Sequence, residues 1–203
     1  MDNKNLILNL VRQDNPVDPL SYVHDIVKEH AFNVLCQDIL NCTKCNLSNT
    51  DRFIPCGDIN SPLLVILDGS AASKNKFCMT DLEEKSLSNA LSLCNKSIDD
   101  LCYIGSVCCS YQNAPGIKSR IACKPHRDKI IEIIKPKSIL LIGNIAYKSF
   151  FSGFLDKNSN CILHYGDLRF VATYILEDIP GFEDVEDTLF INSVAKAIDI
   201  AFN

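Results

Sequence analysis

Cys42 and Cys45 stand in the order C-x2-C within "CTKCNL". Two thiols at that spacing can close around a metal ion, form a redox disulfide or stay inert. A second group of thiols decides between these, and Cys108, Cys109 and Cys123 supply one further along the chain. Cys42, Cys45, Cys109 and Cys123 together would make a four-thiolate site, a donor set that suits zinc or an iron–sulfur cluster. Spacing alone also accommodates unrelated buried thiols, because a free cysteine packs as a small hydrophobe. Cys36, Cys78, Cys94 and Cys161, among the chain's 11 cysteines, are expected to be of that inert kind.

The residues around the thiols carry a resemblance. "CTKCNL", "IPCGDINSPLLVILDG", "CCSYQNAP", "CKPHRDKIIEIIKPKSILLIGNIAYKSFF" and "VATY" occur in that order between Cys42 and Tyr174. Taken together they resemble the family-four uracil-DNA glycosylases, repair enzymes that carry a [4Fe–4S] cluster. The strongest part is Cys123-x-Pro125, followed by Pro136-Lys137, Gly143 and Ala146. The resemblance implies a three-layer α/β sandwich and a [4Fe–4S] cluster held by Cys42, Cys45, Cys109 and Cys123. Cys108 competes with Cys109 for the third position, and zinc is the alternative metal. It also implies excision of uracil or another damaged base from DNA.

Such excision requires a flipped base read on its edge, an oriented water and donors for the charge developing on the base. The chain departs from the family at most of these places. The family's Gly-Glu-(Ala/Gly)-Pro-Gly loop corresponds to Leu67-Asp68-Gly69-Ser70-Ala71, where Asp68 keeps a carboxylate able to orient water. Phe77 is the candidate for stacking on the base. Ser106 stands where an asparagine should read the base edge, and a hydroxyl lacks an amide's paired donor and acceptor. Thr173-Tyr174 is followed by Ile175-Leu176-Glu177-Asp178 instead of His-Pro and a basic inserting segment. Tyr165 replaces an arginine ahead of Gly166, with His164 beside it. Glycosylase activity is therefore in doubt. A catalytically inactive iron–sulfur module, binding DNA or a protein on the same fold, is the alternative. Lys118, Arg120, Lys124, Arg127 and Lys129, with His126 among them, form a candidate phosphate-binding patch, equally readable as a solvated helix face.

Composition sets the outer bounds. The 203 residues are 47% hydrophobic, enough for one cored domain with an extension. Net charge is −5, where dedicated nucleic-acid binders are usually basic. The absence of a long apolar run excludes a spanning helix. "MDNKNLILNLVRQDNP" does not read as a secretory signal, so a cytoplasmic, reducing setting and a monomer are expected.

The elements that must position these residues alternate. Residues 1–40 read as a helical extension, and residues 41–203 as the glycosylase-like domain. "LLVILDG" and "KSILLIG" are unbroken apolar runs, the mark of strands covered on both faces. "LCYIGSVCC", "CILHYG" and "LRFVATYI" are further strands. Helices are expected over "DLEEKSLSNALSLC", over "CKPHRDKIIEIIKP" as far as Pro136, and over "DVEDTLFINSVAKAIDIAF" with Asp184 as cap. Alternation of this kind argues for a mostly parallel sheet between helices, with ligands beyond the strands' carboxyl ends.

Overall fold

The computed structural model describes residues 19–69, 79–155, 162–174 and 188–203. Its centre is a six-stranded sheet. In chain order the strands are β1 (Cys56–Gly57), β2 (Leu63–Leu67), β3 (Cys102–Gly105), β4 (Ser138–Ile142), β5 (Ile162–Tyr165) and β6 (Leu168–Thr173). The helices are α1 (Pro19–Leu40), α2 (Asp81–Ser92), α3 (Ile117–Ile134), α4 (Asn144–Lys148) and α5 (Thr188–Phe202). Spatial strand order is β1-β3-β2-β4-β6-β5. The four inner strands run parallel, and β1 and β5 are antiparallel edges. The architecture is the α/β sandwich with a mostly parallel sheet that the alternation implied.

Strand side chains alternate between two cores, as period two requires. Leu64, Ile66, Ile104, Ile139, Leu141 and Phe170 meet Leu35 and Ile39 of α1 and Ile130, Ile133 and Ile134 of α3. Leu63, Val65, Leu67, Leu140 and Val171 meet Leu87, Ala90 and Leu91 of α2 and Val194, Ala197 and Ala201 of α5. Every residue of β2, β3 and β4 is buried, which explains their unbroken apolar sequences. The last turns of α1 thus belong to the core, while Val23, Ile26 and Val27 stay exposed.

Local signals set most boundaries. Thr80 and Glu83 form a reciprocal capping box at the start of α2. α3 ends at Ile134, one residue before the left-handed Lys135 and then Pro136. Its start differs from the sequence reading. The helix opens at Ile117 behind an uncapped Gly116, so Cys123 lies in its second turn and Pro125 inside it. β3 is likewise shorter than Leu101–Val107, because the chain bends after Gly105. In α5, Phe190 is buried and Leu189 is partly exposed, one position off the expected stripe. Asp184 lies outside the described residues.

β2 has its chain successor β3 on one side and β4 on the other. The sheet's direction of travel reverses there. In open α/β sheets that reversal opens a crevice beyond the carboxyl ends of the two strands. The turns after Leu67 and Ile142 face each other across it.

Candidate functional site

Asp68 and Gly143 occupy that crevice. The Asp68 N–H donates to the Ile142 carbonyl at 3.0 Å. The Asp68 carbonyl accepts from the Ser106 hydroxyl and the Tyr111 hydroxyl, each at 3.1 Å. Its carboxylate Oδ1 accepts the Ala146 N–H, in the first turn of α4, at 2.6 Å. A Cβ built on Gly143 would stand 2.2 Å from the Asp68 carboxyl carbon, and Gly143 has φ +105°, so glycine is required twice over. Asp68 is 5% exposed. Burial, then the Asp68 charge, raises the Tyr111 phenol far above its ordinary range.

Ser106 is fully buried, and its chain atoms are committed as well. Its N–H donates to Leu67 O at 2.6 Å, and its carbonyl accepts from Arg127 Nη1. The structure therefore brings Asp68 and Ser106 together, each bound into the protein's own hydrogen-bond network. Phe77, Ser70, Ala71 and Ile175 to Asp178 lie outside the described residues, as do Cys78 and Cys161. His164 lies on exposed edge strand β5, opposite Arg169 on β6.

Cys108, Cys109 and Cys123 lie in the core on the α1/α3 side. Backbone bonds zip residues 51–53 to residues 108–110: Phe53 N–H to Cys108 O at 3.0 Å and Ser110 N–H to Asp51 O at 2.9 Å. This zip sets the Arg52 side chain beside Cys109. Arg52 Nη1 donates to Cys109 Sγ at 3.0 Å, and Nη2 donates to the Cys42 carbonyl at 2.7 Å. Cys109 also feels the charges of Cys123 and Cys45. Its thiol is pushed up to about 11, chiefly by burial, with Arg52 working against the rise. Cys123 is held below the usual thiol range, first by a hydrogen bond from the Cys108 side chain. The Arg127 and Arg52 guanidiniums add to that lowering. Cys109 is thus near both Cys45 and Cys123, whereas Cys108 lies against Cys123 with its sulfur 3.8 Å from the Gly105 carbonyl. Among the described residues, no three Cys, His, Asp or Glu side chains converge closely enough to hold an ion as they stand.

The candidate phosphate patch is dispersed. Arg127 is buried at 2% exposure and donates to Ser106 O and Arg120 O. Arg120 donates to Lys148 O at 3.2 Å. Lys124 pairs with Asp128 and Lys129 with Glu132 on the helix surface. His126 is buried. Arg52 and Arg127, whose guanidiniums border the thiols, have no signature in cysteine spacing. Their partners are mainly backbone carbonyls from distant segments, which sequence pattern does not reveal.

Beside the cysteine loop lies an open cleft of about 480 Å³, lined by Asn46, Thr50, Gln112, Asn113 and Ser119. No helix among the described residues is long and apolar enough to cross a membrane. No protein-family model matches the chain, and no curated protein matches it either.

Proposed function

We propose that this chain is a divergent uracil-DNA-glycosylase-like domain that keeps a thiolate-held metal centre and has lost uracil excision. In this reading it is a binding module, with DNA as the partner that the resemblance implies. The observation that carries the loss of excision is the state of Asp68. It is 5% exposed, its Oδ1 accepts the Ala146 N–H, and its carboxyl group lies against Gly143, so little of the carboxylate reaches solvent. A group that orients an attacking water needs that water within hydrogen-bond reach. Ser106, a second candidate from sequence, is fully buried and bonded to Asp68 O. Loss of even one donor to a developing oxyanion costs about 3 to 4 kcal/mol, and this chain lacks the histidine that the resemblance makes such a donor, as well as the asparagine that reads the base edge.

The donor chemistry fits an anionic thiolate centre. Arg127 is buried and Arg52 half-buried beside the thiols, and the Nε atoms of both are enclosed without a hydrogen-bond partner. Buried cations need compensating negative charge. Cys42, Cys45, Cys109 and Cys123 would hold a [4Fe–4S] cluster, or zinc, and the bound centre would supply a structural cross-link between the two loops. Arg52 and Arg127 would balance its charge. The amides of Asn46, Gln112 and Asn113 in the adjoining cleft suit a polar ligand read by hydrogen bonds.

The second reading is a weak glycosylase acting through Asp68. It is favoured by the place of Asp68 at the sheet's switch point, where ligands bind in such folds. One preparation separates the two. Anaerobically purified protein is expected to contain iron and sulfide, to absorb broadly in the visible, and to release no base from a uracil-containing oligonucleotide that it retains in a gel shift. Base release abolished by Asp68→Ala would overturn the binding-module reading. Protein free of iron, sulfide and zinc would overturn the metal centre.

A further inference from the structure

We infer that Arg52 is the positioning residue of the thiolate centre: one guanidinium gathers the cysteine loop and donates directly to a ligand sulfur. The inference rests on the thiolate-centre reading above.

The geometry is a basket of carbonyls. Besides Cys42 O, the guanidinium donates to Leu47 O at 3.1 Å, to Thr50 O at 3.5 Å and to Ser48 O. These acceptors span the loop that carries Cys42 and Cys45. Nη1 meanwhile donates to Cys109 Sγ, 57 residues further along the chain. Arg52 and Cys109 are also backbone partners in an isolated antiparallel bridge, so the short route between them is fixed by main-chain atoms. Thr50 repeats the connection on a smaller scale, its single hydroxyl proton shared between Leu47 O at 2.9 Å and Ser110 O at 2.8 Å.

Three consequences follow from elementary chemistry. A loop of free carbonyls and two thiols would otherwise sample many conformations, and ordering it costs entropy at the moment of metal binding. Arg52 orders the loop beforehand. A planar fork can reach the Cys42 carbonyl and the Cys109 sulfur together, whereas an ammonium is a single point of charge. A cation donating to a ligand sulfur stabilises the more negative, reduced form of a cluster and so raises its reduction potential.

The test compares wild type, Arg52→Gln and Arg52→Lys. Each is loaded anaerobically with iron and sulfide, and separately with Zn(II) alone. Metal loss to a chelator, the midpoint potential of the iron form and amide hydrogen exchange over residues 42–50 are then measured. Arg52→Gln is expected to weaken metal retention by about 10- to 100-fold, the range for removing an outer-shell partner. It should also lower the midpoint potential and accelerate exchange in the metal-free protein. Arg52→Lys should recover the potential more fully than the loop protection. It also serves as the folded variant if Arg52→Gln does not accumulate. Unchanged retention, potential and exchange in Arg52→Gln would overturn the inference while leaving the metal centre intact. Wild type that retains neither metal would sink the centre itself and this role of Arg52 with it. Accelerated exchange in that metal-free case would identify Arg52 as a brace of the loop alone.

Discussion

A Cβ on Gly143 would stand 2.2 Å from the Asp68 carboxyl carbon, across the crevice between β2 and β4. The two residues come from turns that follow parallel neighbouring strands, in register from Leu63↔Ser138 to Leu67↔Ile142. Gly143→Ala must therefore displace a buried carboxylate and hold alanine at φ +105°. A destabilisation of about 2 to 4 kcal/mol is expected, read as a shift of the urea midpoint at constant slope. Asp68→Gly on the Gly143→Ala background removes the obstructing group. The double variant should then be less destabilised than the two single changes sum to, a coupling that residues in contact show.

Asp68→Ala tests what the carboxylate does. If it is structural, the variant leaves the Ala146 N–H without its acceptor in a buried site. That costs about 1 to 3 kcal/mol in unfolding free energy. Base release from a uracil-containing oligonucleotide should be at background for both wild type and variant. Gel-shift retention should be similar in the two proteins once each is compared at a temperature where it is folded.

The inner sheet was legible because β2 and β4 are buried on both faces, and burial on both faces leaves a continuous apolar run. Pro136 marked the end of α3 just as clearly. Its beginning was hidden. Gly116-Ile117-Lys118-Ser119-Arg120 has no capping side chain, and the first turn exposes Ile117, so neither cap nor periodicity announces the helix. β1 has only two residues, too short for any pattern. The cysteines were readable as candidates by type and spacing. Arg52 and Arg127 were not, since their roles come from carbonyls brought in by the fold. The basic patch divides: Lys124 and Lys129 pair on the helix surface, as a solvated face would. A run of cations reads as a surface, yet Arg127 points inward beneath Ser106 O.

His126 gives a pH dependence with a definite sign. Burial, then the Lys44 charge, lowers its pKa from 6.5, with Asp38 opposing. A histidine depressed in the folded state is neutral there while the unfolded chain takes up a proton below about 6.5. Its contribution to stability is full above that value and is lost as pH falls from 6.5 toward the lower folded pKa. Unfolding free energy measured in urea between pH 8 and 5 should decline on the acid side. His126→Gln should decline less over the same interval, with both proteins held in one metal state. Parallel curves for the two proteins would remove His126 as a source of acid sensitivity.

Cys108 and Cys109 are neighbours in sequence with different surroundings. Cys109 receives the Arg52 Nη1 at 3.0 Å and feels Cys45 and Cys123. Cys108, equally buried, lies against Cys123 and the Gly105 carbonyl. If Cys109 is the third thiolate, Cys109→Ala should lose the visible absorption band and most bound iron and sulfide after anaerobic purification. Cys108→Ala should keep them and lose only packing, about 1 kcal/mol or more of stability. The same contrast applies to Zn(II) content if zinc is the native metal. Cys123→Ala and Cys42→Ala should behave as Cys109→Ala does, because three thiolates leave a coordination position open to water and to chelators. A metal content that survives Cys109→Ala but not Cys108→Ala would exchange the two assignments. It would place the ligand sulfur beneath Cys123 and leave Arg52 bonded to a thiol outside the centre.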